Sequence, residues 1–231
     1  MADLELFKRQ AAEHALQYIQ SGMTLGLGTG STATHMLHVL AEALRDGRLH
    51  NIVGVPTSDA IGALARQLGV PIATLVERPQ LDLALDGADE IDPSLNLIKG
   101  LGGALLREKI VESSADRLIV LADETKLVAQ LGTRAPLPVE VVAFGLPLAT
   151  RRLTELGGVP TLRRSVDGSA FRTDEGHVIL DCRFHGIADA AALNAALNAI
   201  PGVVEHGLFV GMATLALVAG PAGVATIAGK Q

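Results

Sequence analysis

The 231-residue sequence predicts an α/β fold: a doubly wound, mostly parallel sheet domain (Rossmann-like) with a second, smaller α+β ferredoxin-like domain. Three observations carry this expectation. Short apolar strands alternate with helix-length amphipathic segments through residue 132, and four of those strands end in polar turns. The pattern changes at Pro136-Leu137-Pro138, after which the order becomes strand, helix, strand, strand, helix, strand, the split βαβ arrangement. The predicted boundaries are 1–132 plus 207–231 for the α/β domain and 133–206 for the smaller one.

Each element has a local reason. Phe7, Ala11, Ala15 and Tyr18, with Ala12, Leu16 and Ile19, recur at helical spacing over residues 3–20, and Gly22 ends that helix. Residues 23–27 form a short apolar strand running into Gly28-Thr29-Gly30-Ser31-Thr32, and helical periodicity resumes over 33–44. A second strand at 51–55 ends in Pro56-Thr57-Ser58-Asp59, where Ser58 or Asp59 can cap the helix at 60–68. A weaker strand is expected at 70–74. Residues 81–85 make a strand that delivers Asp86 to its carboxyl end, where Gly87 lets the chain turn. Good helix formers follow the turn at Lys99-Gly100-Leu101-Gly102-Gly103, and 117–122, RLIVLA, reads as a strand buried on both faces. In the smaller domain, strands are expected at 138–142 and 159–163, a helix at 148–156, and a hairpin from 170–172 to 177–183. An alanine-rich helix at 188–199 and a last strand at 203–205 complete it.

Composition narrows the function classes. A hydrophobic fraction of 48% supplies a packed core, and Cys182, the single cysteine, has no partner for an internal disulfide. No basic leader with an apolar core precedes the first helix, so the expected location is cytoplasmic. A net charge of -6 without a Lys/Arg block argues against a nucleic-acid partner. Residues 207–229 carry no charge and are long enough to cross a bilayer, but Gly220-Pro221 and recurrent glycines divide them into strand-sized pieces at 208–210, 214–218 and 224–227. No membrane association is expected.

Chemistry concentrates in two places. The 28–32 loop places small residues, hydroxyls and backbone N–H groups at a helix N-terminus, which suits phosphate. A tight strand-to-helix connection capped by Ser31 explains the same residues equally well. Asp86 and Asp89 follow an apolar strand, and Lys99 is the nearest cation in sequence; turn capping and solvation are the alternatives. Spacing does not single out Glu108, because Arg107-Glu108-Lys109 has the form of a solvated helix face. His35 and His38 lack a metal-binding pattern, and Cys182 on a predicted strand suits burial better than nucleophilic attack.

The motifs GLGTGSTA at 26–33, PTSDA at 56–60, DGADEI at 86–91, IKGLGGALLREKI at 98–110, ADETK at 122–126, PLPVEV at 136–141 and IPGVVEHGLF at 200–209 together resemble the ribose-5-phosphate isomerase A family over essentially the whole chain. The resemblance implies interconversion of D-ribose 5-phosphate and D-ribulose 5-phosphate in the non-oxidative pentose phosphate pathway. It implies a sugar-phosphate partner, no metal or organic cofactor, and a homodimer or homotetramer. The smaller domain is then a lid or an oligomer contact. By the same resemblance Glu108 matches the general base. Substrate-binding positions fall on Thr29, Gly30, Ser31, Thr32, Asp86, Gly87, Ala88, Asp89, Lys99, Gly100, Leu101, Gly102 and Lys126. Asp86 and Lys99 are the further catalytic candidates, one for oxygen-bound protons and the other for developing negative charge. Leu101 departs from a family pattern that has glycine there in some members. The alternatives are a sugar-phosphate sensor, disfavoured by the acidic charge and the lack of a helix-turn-helix segment, and a CoA-transferase-like or amino-sugar phosphate deaminase-like enzyme on the same fold.

Overall fold

A computed structural model describes residues 2–229; Met1, Lys230 and Gln231, which the predicted first domain includes, lie outside the described residues. In chain order the first elements are α1 (Ala2–Ala15), β1 (Thr24–Leu27), α2 (Ser31–Arg45), β2 (Val53–Pro56), α3 (Asp59–Gln67), β3 (Leu83–Gly87), β4 (Glu90–Ile91), β5 (Leu97–Ile98), α4 (Leu105–Ser113) and β6 (Leu118–Asp123). They are followed by β7 (Leu137–Val141), α5 (Leu146–Glu155), β8 (Val159–Leu162), β9 (Val178–Arg183), α6 (Ala190–Asn198), β10 (Val203–His206), β11 (Leu208–Phe209), β12 (Leu215–Gly220) and β13 (Gly223–Ala228). The chain divides into two units, one of residues 2–88, 107–126 and 212–229, the other of 89–106 and 127–211.

The first unit is built on a six-stranded sheet of order β13-β12-β6-β3-β1-β2, parallel except for the β12–β13 hairpin. β1, β3, β6 and β12 are buried along their whole length or nearly so, which is why they read as unbroken apolar runs. Ala11, Ala12 and Ala15 of α1, all at 0% exposure, let that helix lie close against β6 and β12. Each fully buried leucine in the same core, such as Leu25, Leu83 and Leu121, contributes about 1.5–3 kcal/mol. Residues 70–74 do not make a strand: Pro71 has no N–H to donate, and a single parallel bridge, Gly54 to Ile72, is all that forms.

The second unit carries a four-stranded antiparallel sheet of order β10-β7-β9-β8. Numbered within the unit this is 4-1-3-2, the order of the split βαβ motif. Val139, Val141 and Leu180 from the sheet share a core with Ala149 and Leu153 of α5 and Leu197 of α6. The expected hairpin arm at 170–172 is absent, since only a bridge from Ala170 to Arg164 forms there and β9 pairs with β8 instead. A small antiparallel sheet, β11-β5-β4, belongs to this unit as well. The closing segments therefore separate: β12 and β13 join the large sheet, while β11 pairs with β5, Leu208 opposite Ile98.

No described helix is long and apolar enough to cross a membrane, and the uncharged stretch near the C-terminus is built into β11, β12 and β13.

Candidate active site

In the first unit the chain leaves β1 towards β2 on one side, while β3 and β6 lie on the other. This reversal of strand order opens a crevice at the carboxyl ends of β1 and β3, the place where ligands of doubly wound sheets gather. The β1–β3 register pairs Leu27 with Leu85, so Gly28 and Asp86 emerge side by side, and the Gly28 N–H donates to the Leu85 carbonyl at 3.0 Å. Asp86 is 1% exposed, and its Oδ1 accepts the Gly87 N–H at 2.6 Å. A Cβ on Gly28 would overlap the Asp86 Cγ and Oδ1 atoms, so the glycine is needed for the carboxylate to occupy its place. Thr32, 8% exposed, lies beside Gly87, and the two motifs the sequence offered separately therefore meet in this unit.

The loop itself differs from one reading of it. The N-cap of α2 is Gly30, at φ 109° and ψ 177°, with no side-chain cap, and Ser31 is the first helical residue. Gly30 and Ser31 are exposed, while the half-buried Thr29 hydroxyl donates to Ser58 Oγ at 2.8 Å and lies 2.7 Å from Thr57 Oγ1. Thr57 in turn donates to the Leu27 carbonyl at 3.0 Å, and Ser58 Oγ caps α3 by accepting the Ile61 N–H at 3.2 Å. This hydroxyl cluster ties the β1 loop to the β2 loop. The sequence showed a polar strand end at Thr57-Ser58 but not the partner across the sheet.

Glu108 is the main surprise. It is 3% exposed, although the charge run around it suggested a solvated face. The reason is helical phase: Leu105, Glu108, Val111 and Glu112 share one face of α4, and all four are buried. Val111 packs so close to the sheet that a Cβ on Gly26 would come within 2.9 Å of its Cγ1 and within 3.0 Å of the Ala84 Cβ. The end of α4 lies at the start of β3, where the Leu81 N–H donates to the Ser114 carbonyl at 2.9 Å, so the helix runs antiparallel to the strands. Glu108, one turn before Val111, therefore lies nearer the edge that carries Gly28 and Asp86. The charges that flank it are half-buried, and Arg107 reaches a surface partner, donating to Asp59 Oδ1 at 2.7 Å.

β6 ends at the same edge in Asp123, 1% exposed, whose Oδ1 accepts both the N–H and the hydroxyl of Thr125. That turn carries the half-buried Lys126. Away from the edge, His35 Nε2 lies 2.8 Å from Glu5 Oε2. Among the described residues no group of three or more His, Cys, Asp or Glu is arranged to hold a metal ion.

The second unit holds Asp89 and the glycine turn after β5. Lys99 is 3% exposed, its N–H donates to the Gly207 carbonyl at 2.9 Å, and its ammonium lies 5.4 Å from the Phe209 ring centroid. Asp89 Oδ2 accepts the Leu101 N–H at 3.0 Å. Gly100 and Gly103 adopt φ values of 99° and 87°, whereas Leu101 is not among the positive-φ residues. Leucine is therefore accommodated at 101, where the residue is 43% exposed. The other acids of the motif are structural. Glu90 accepts the N–H groups of Gly132 at 2.5 Å and of Arg134 and Ala135 at 2.7 Å, and Asp92 accepts those of Ser94 at 2.8 Å and Asn96 at 2.9 Å.

Known proteins match this chain closely. The family model for ribose 5-phosphate isomerase A (phosphoriboisomerase A) matches residues 53–223. A ribose-5-phosphate isomerase A from Roseiflexus sp. (strain RS-1) is 64% identical over 96% of this chain and 95% of its own length, and one from Synechococcus sp. (strain JA-3-3Ab) is 54% identical over 98% and 99%. Among solved structures, a D-ribose-5-phosphate isomerase in complex with phospho-erythronic acid superposes with a TM-score of 0.95 at 41% identity, covering 97% of this chain and 99% of that one. The ribose 5-phosphate isomerase from Plasmodium falciparum superposes with a TM-score of 0.95 at 38% identity, covering 99% and 100%. With the family model spanning most of its length and relatives this similar across nearly all of it, the chain belongs to the ribose-5-phosphate isomerase A family.

Proposed function

We propose that the chain interconverts D-ribose 5-phosphate and D-ribulose 5-phosphate, with Glu108 as the base that carries the proton between C1 and C2. The observation that carries this assignment is a glutamate buried to 3% exposure on the sheet-facing side of α4, towards the edge where β1 and β3 present Gly28 and Asp86. Moving a carbonyl from C1 to C2 requires removal of the C2 proton, formation of an enediolate, and return of a proton to C1. One carboxylate performs both transfers. Shielding it from bulk water keeps the carried proton from exchanging away and strengthens its interaction with the substrate.

The other roles follow from chemistry and from the family resemblance. Asp86 serves ring opening or the transfer of the proton between O2 and O1, and Asp89 the sugar hydroxyls. Lys99 stabilises the oxyanion, and the turn of Gly100, Leu101 and Gly102 that follows it binds the phosphosugar. Thr29, Gly30, Ser31 and Thr32 at the start of α2, with Gly87, Ala88 and Lys126, position the phosphosugar. The relative solved with phospho-erythronic acid supports this reading, because a phosphorylated sugar acid pairs a planar carboxylate with a phosphate much as the enediolate does. No cofactor is assigned a part. The reading is completed by a homodimer or homotetramer in the cytoplasm, with the antiparallel unit as lid or oligomer contact.

The test is Glu108→Gln, assayed for ribulose 5-phosphate formed from ribose 5-phosphate with EDTA present. The amide preserves size and removes the basic oxygen, so kcat is expected to fall by about 10²–10⁴-fold with KM little changed. Turnover close to that of the parent enzyme removes Glu108 from the role of base.

A further inference from the structure

The side chain of Arg163, just past β8, reaches the glycine turn. Its Nε donates to Asp181 Oδ2 at 2.9 Å and its Nη2 to Asp181 Oδ1 at 2.5 Å, a two-pronged pair that leaves the Arg163 side chain 12% exposed. The remaining nitrogen, Nη1, donates to two successive carbonyls, Gly100 at 3.1 Å and Leu101 at 3.0 Å. Phe171 braces the arrangement from below, its ring centroid 5.7 Å from the Arg163 Cζ. Gly103 makes room for that ring, since a Cβ there would lie 2.5 Å from the Phe171 Cζ.

Trans peptide units hold C=O and N–H in opposite directions, and the chain has no cis bond. Fixing the Gly100 carbonyl on Arg163 therefore turns the Leu101 N–H away from it, where Asp89 accepts it at 3.0 Å. Fixing the Leu101 carbonyl in the same way turns the Gly102 N–H to that opposite side. The Gly100 carbonyl also accepts the Gly103 N–H at 3.0 Å, so Arg163 shares the first peptide with the turn's own closing bond. The second peptide rests on Arg163 through the Leu101 carbonyl; with the Leu101 N–H given to Asp89, the donor that Arg163 turns towards a ligand is the Gly102 N–H, and Asp181 sets Arg163.

We infer that Arg163, anchored by Asp181, is a positioning residue for the Lys99–Gly102 turn, orienting the Gly102 N–H for the sugar phosphate. This rests on the assignment of that turn to substrate binding. Lysine cannot replace it: an ammonium is a point donor that lacks the planar fork needed to span a carboxylate and two carbonyls together.

The experiment compares Arg163→Lys, Arg163→Ala and Asp181→Asn with the parent enzyme, measuring KM and kcat for ribose 5-phosphate and the Kd of phospho-erythronic acid, with folding checked by circular dichroism. A loosened donor set weakens ground state and transition state alike, so KM and Kd are expected to rise about tenfold and kcat to change less than about threefold. A folded Arg163 variant whose KM and Kd stay within twofold of the parent overturns the inference whatever its melting temperature. So does failure of all three variants to fold, which makes the residue structural. Glu108→Gln in the same assay separates the two readings. If it is active, the site assignment fails. If it is inactive but binds phospho-erythronic acid while Arg163→Lys behaves as the parent, the inference alone fails.

Discussion

Gly28→Ala is predicted to be harmful only because of Asp86. Gly28 is not among the positive-φ glycines, so alanine fits its backbone. In open space the change would stabilise the protein by about 0.4–1 kcal/mol through the unfolded chain. Here the new methyl overlaps Asp86 Cγ and Oδ1 and lies 2.5 Å from its Cβ. Asp86, 1% exposed within a strand flanked by β1 and β6, has no space to retreat into, and overpacking of this kind costs about 1–3 kcal/mol. Asp86→Gly removes all three offending atoms, whereas Asp86→Ala would leave the Cβ in place. The cost of Gly28→Ala is therefore expected in the parent background and a small gain in the Asp86→Gly background, a coupling of about 1.4–4 kcal/mol. Urea unfolding followed by far-ultraviolet circular dichroism measures it, since the chain has no tryptophan and one tyrosine. Equal effects of Gly28→Ala in the two backgrounds refute the reasoning. On the role proposed for Asp86, Gly28→Ala alone should lower kcat by about a hundredfold, the usual result of moving a reacting group by an ångström.

Two further outcomes concern stability. Glu90→Gln points an amide NH2 at backbone donors that now share a carboxylate, at a cost of about 2–3 kcal/mol, and thermal denaturation should show Tm lower by about 4–12 °C; an unchanged Tm shows that the loop at 132–135 does not depend on Glu90. Cys182 is fully buried, and burial pushes its thiol up to about 12 from the ordinary 9.0. The folded state then keeps this proton after the unfolded chain has lost it, so the contribution of Cys182 is complete below about pH 9 and is lost as pH rises towards 12. A thiol reagent at pH 8 should label the urea-unfolded chain and spare the native one, and rapid native labelling contradicts the burial.

Much of the fold was legible because parallel strands buried on both faces leave an unambiguous trace. Leu118 to Ala122 and Leu83 to Leu85 could hardly be anything else, and the acids that end them, Asp86 and Asp123, lie at the carboxyl ends of neighbouring strands. The antiparallel unit was legible through its order of elements. What escaped was structure too short or too tertiary for a local pattern. β4, β5 and β11 are two residues each, below the length at which alternation can be seen, and residues 70–74 looked like a strand until Pro71 withheld its N–H. The role of Gly28 depends on a carboxylate delivered by a different strand, and that of Arg163 on carbonyls contributed by a turn far away in sequence.

The acids show most clearly where sequence grammar stops. Asp86, Asp89, Glu90, Asp92 and Glu108 look alike as carboxylates in one stretch, and what separates them is the chemistry each is held to. Both oxygens of Glu90 are committed to backbone N–H groups, and Asp92 closes its own turn on Ser94 and Asn96. Asp89 lends Oδ2 to Leu101, which makes it part of the frame of the glycine turn. Asp86 and Glu108 stand apart: both are buried in the first unit, one at the end of β3 and the other on the face of α4 that packs over the sheet. A charged residue in a helical run normally marks the solvent side. The spacing of Leu105, Glu108 and Val111 contained the opposite message, because an acid in phase with two buried apolar residues must itself be buried. Such an acid costs stability unless its surroundings or its chemistry give a reason for it, and the role proposed for Glu108, base in the enediolate reaction, is such a reason.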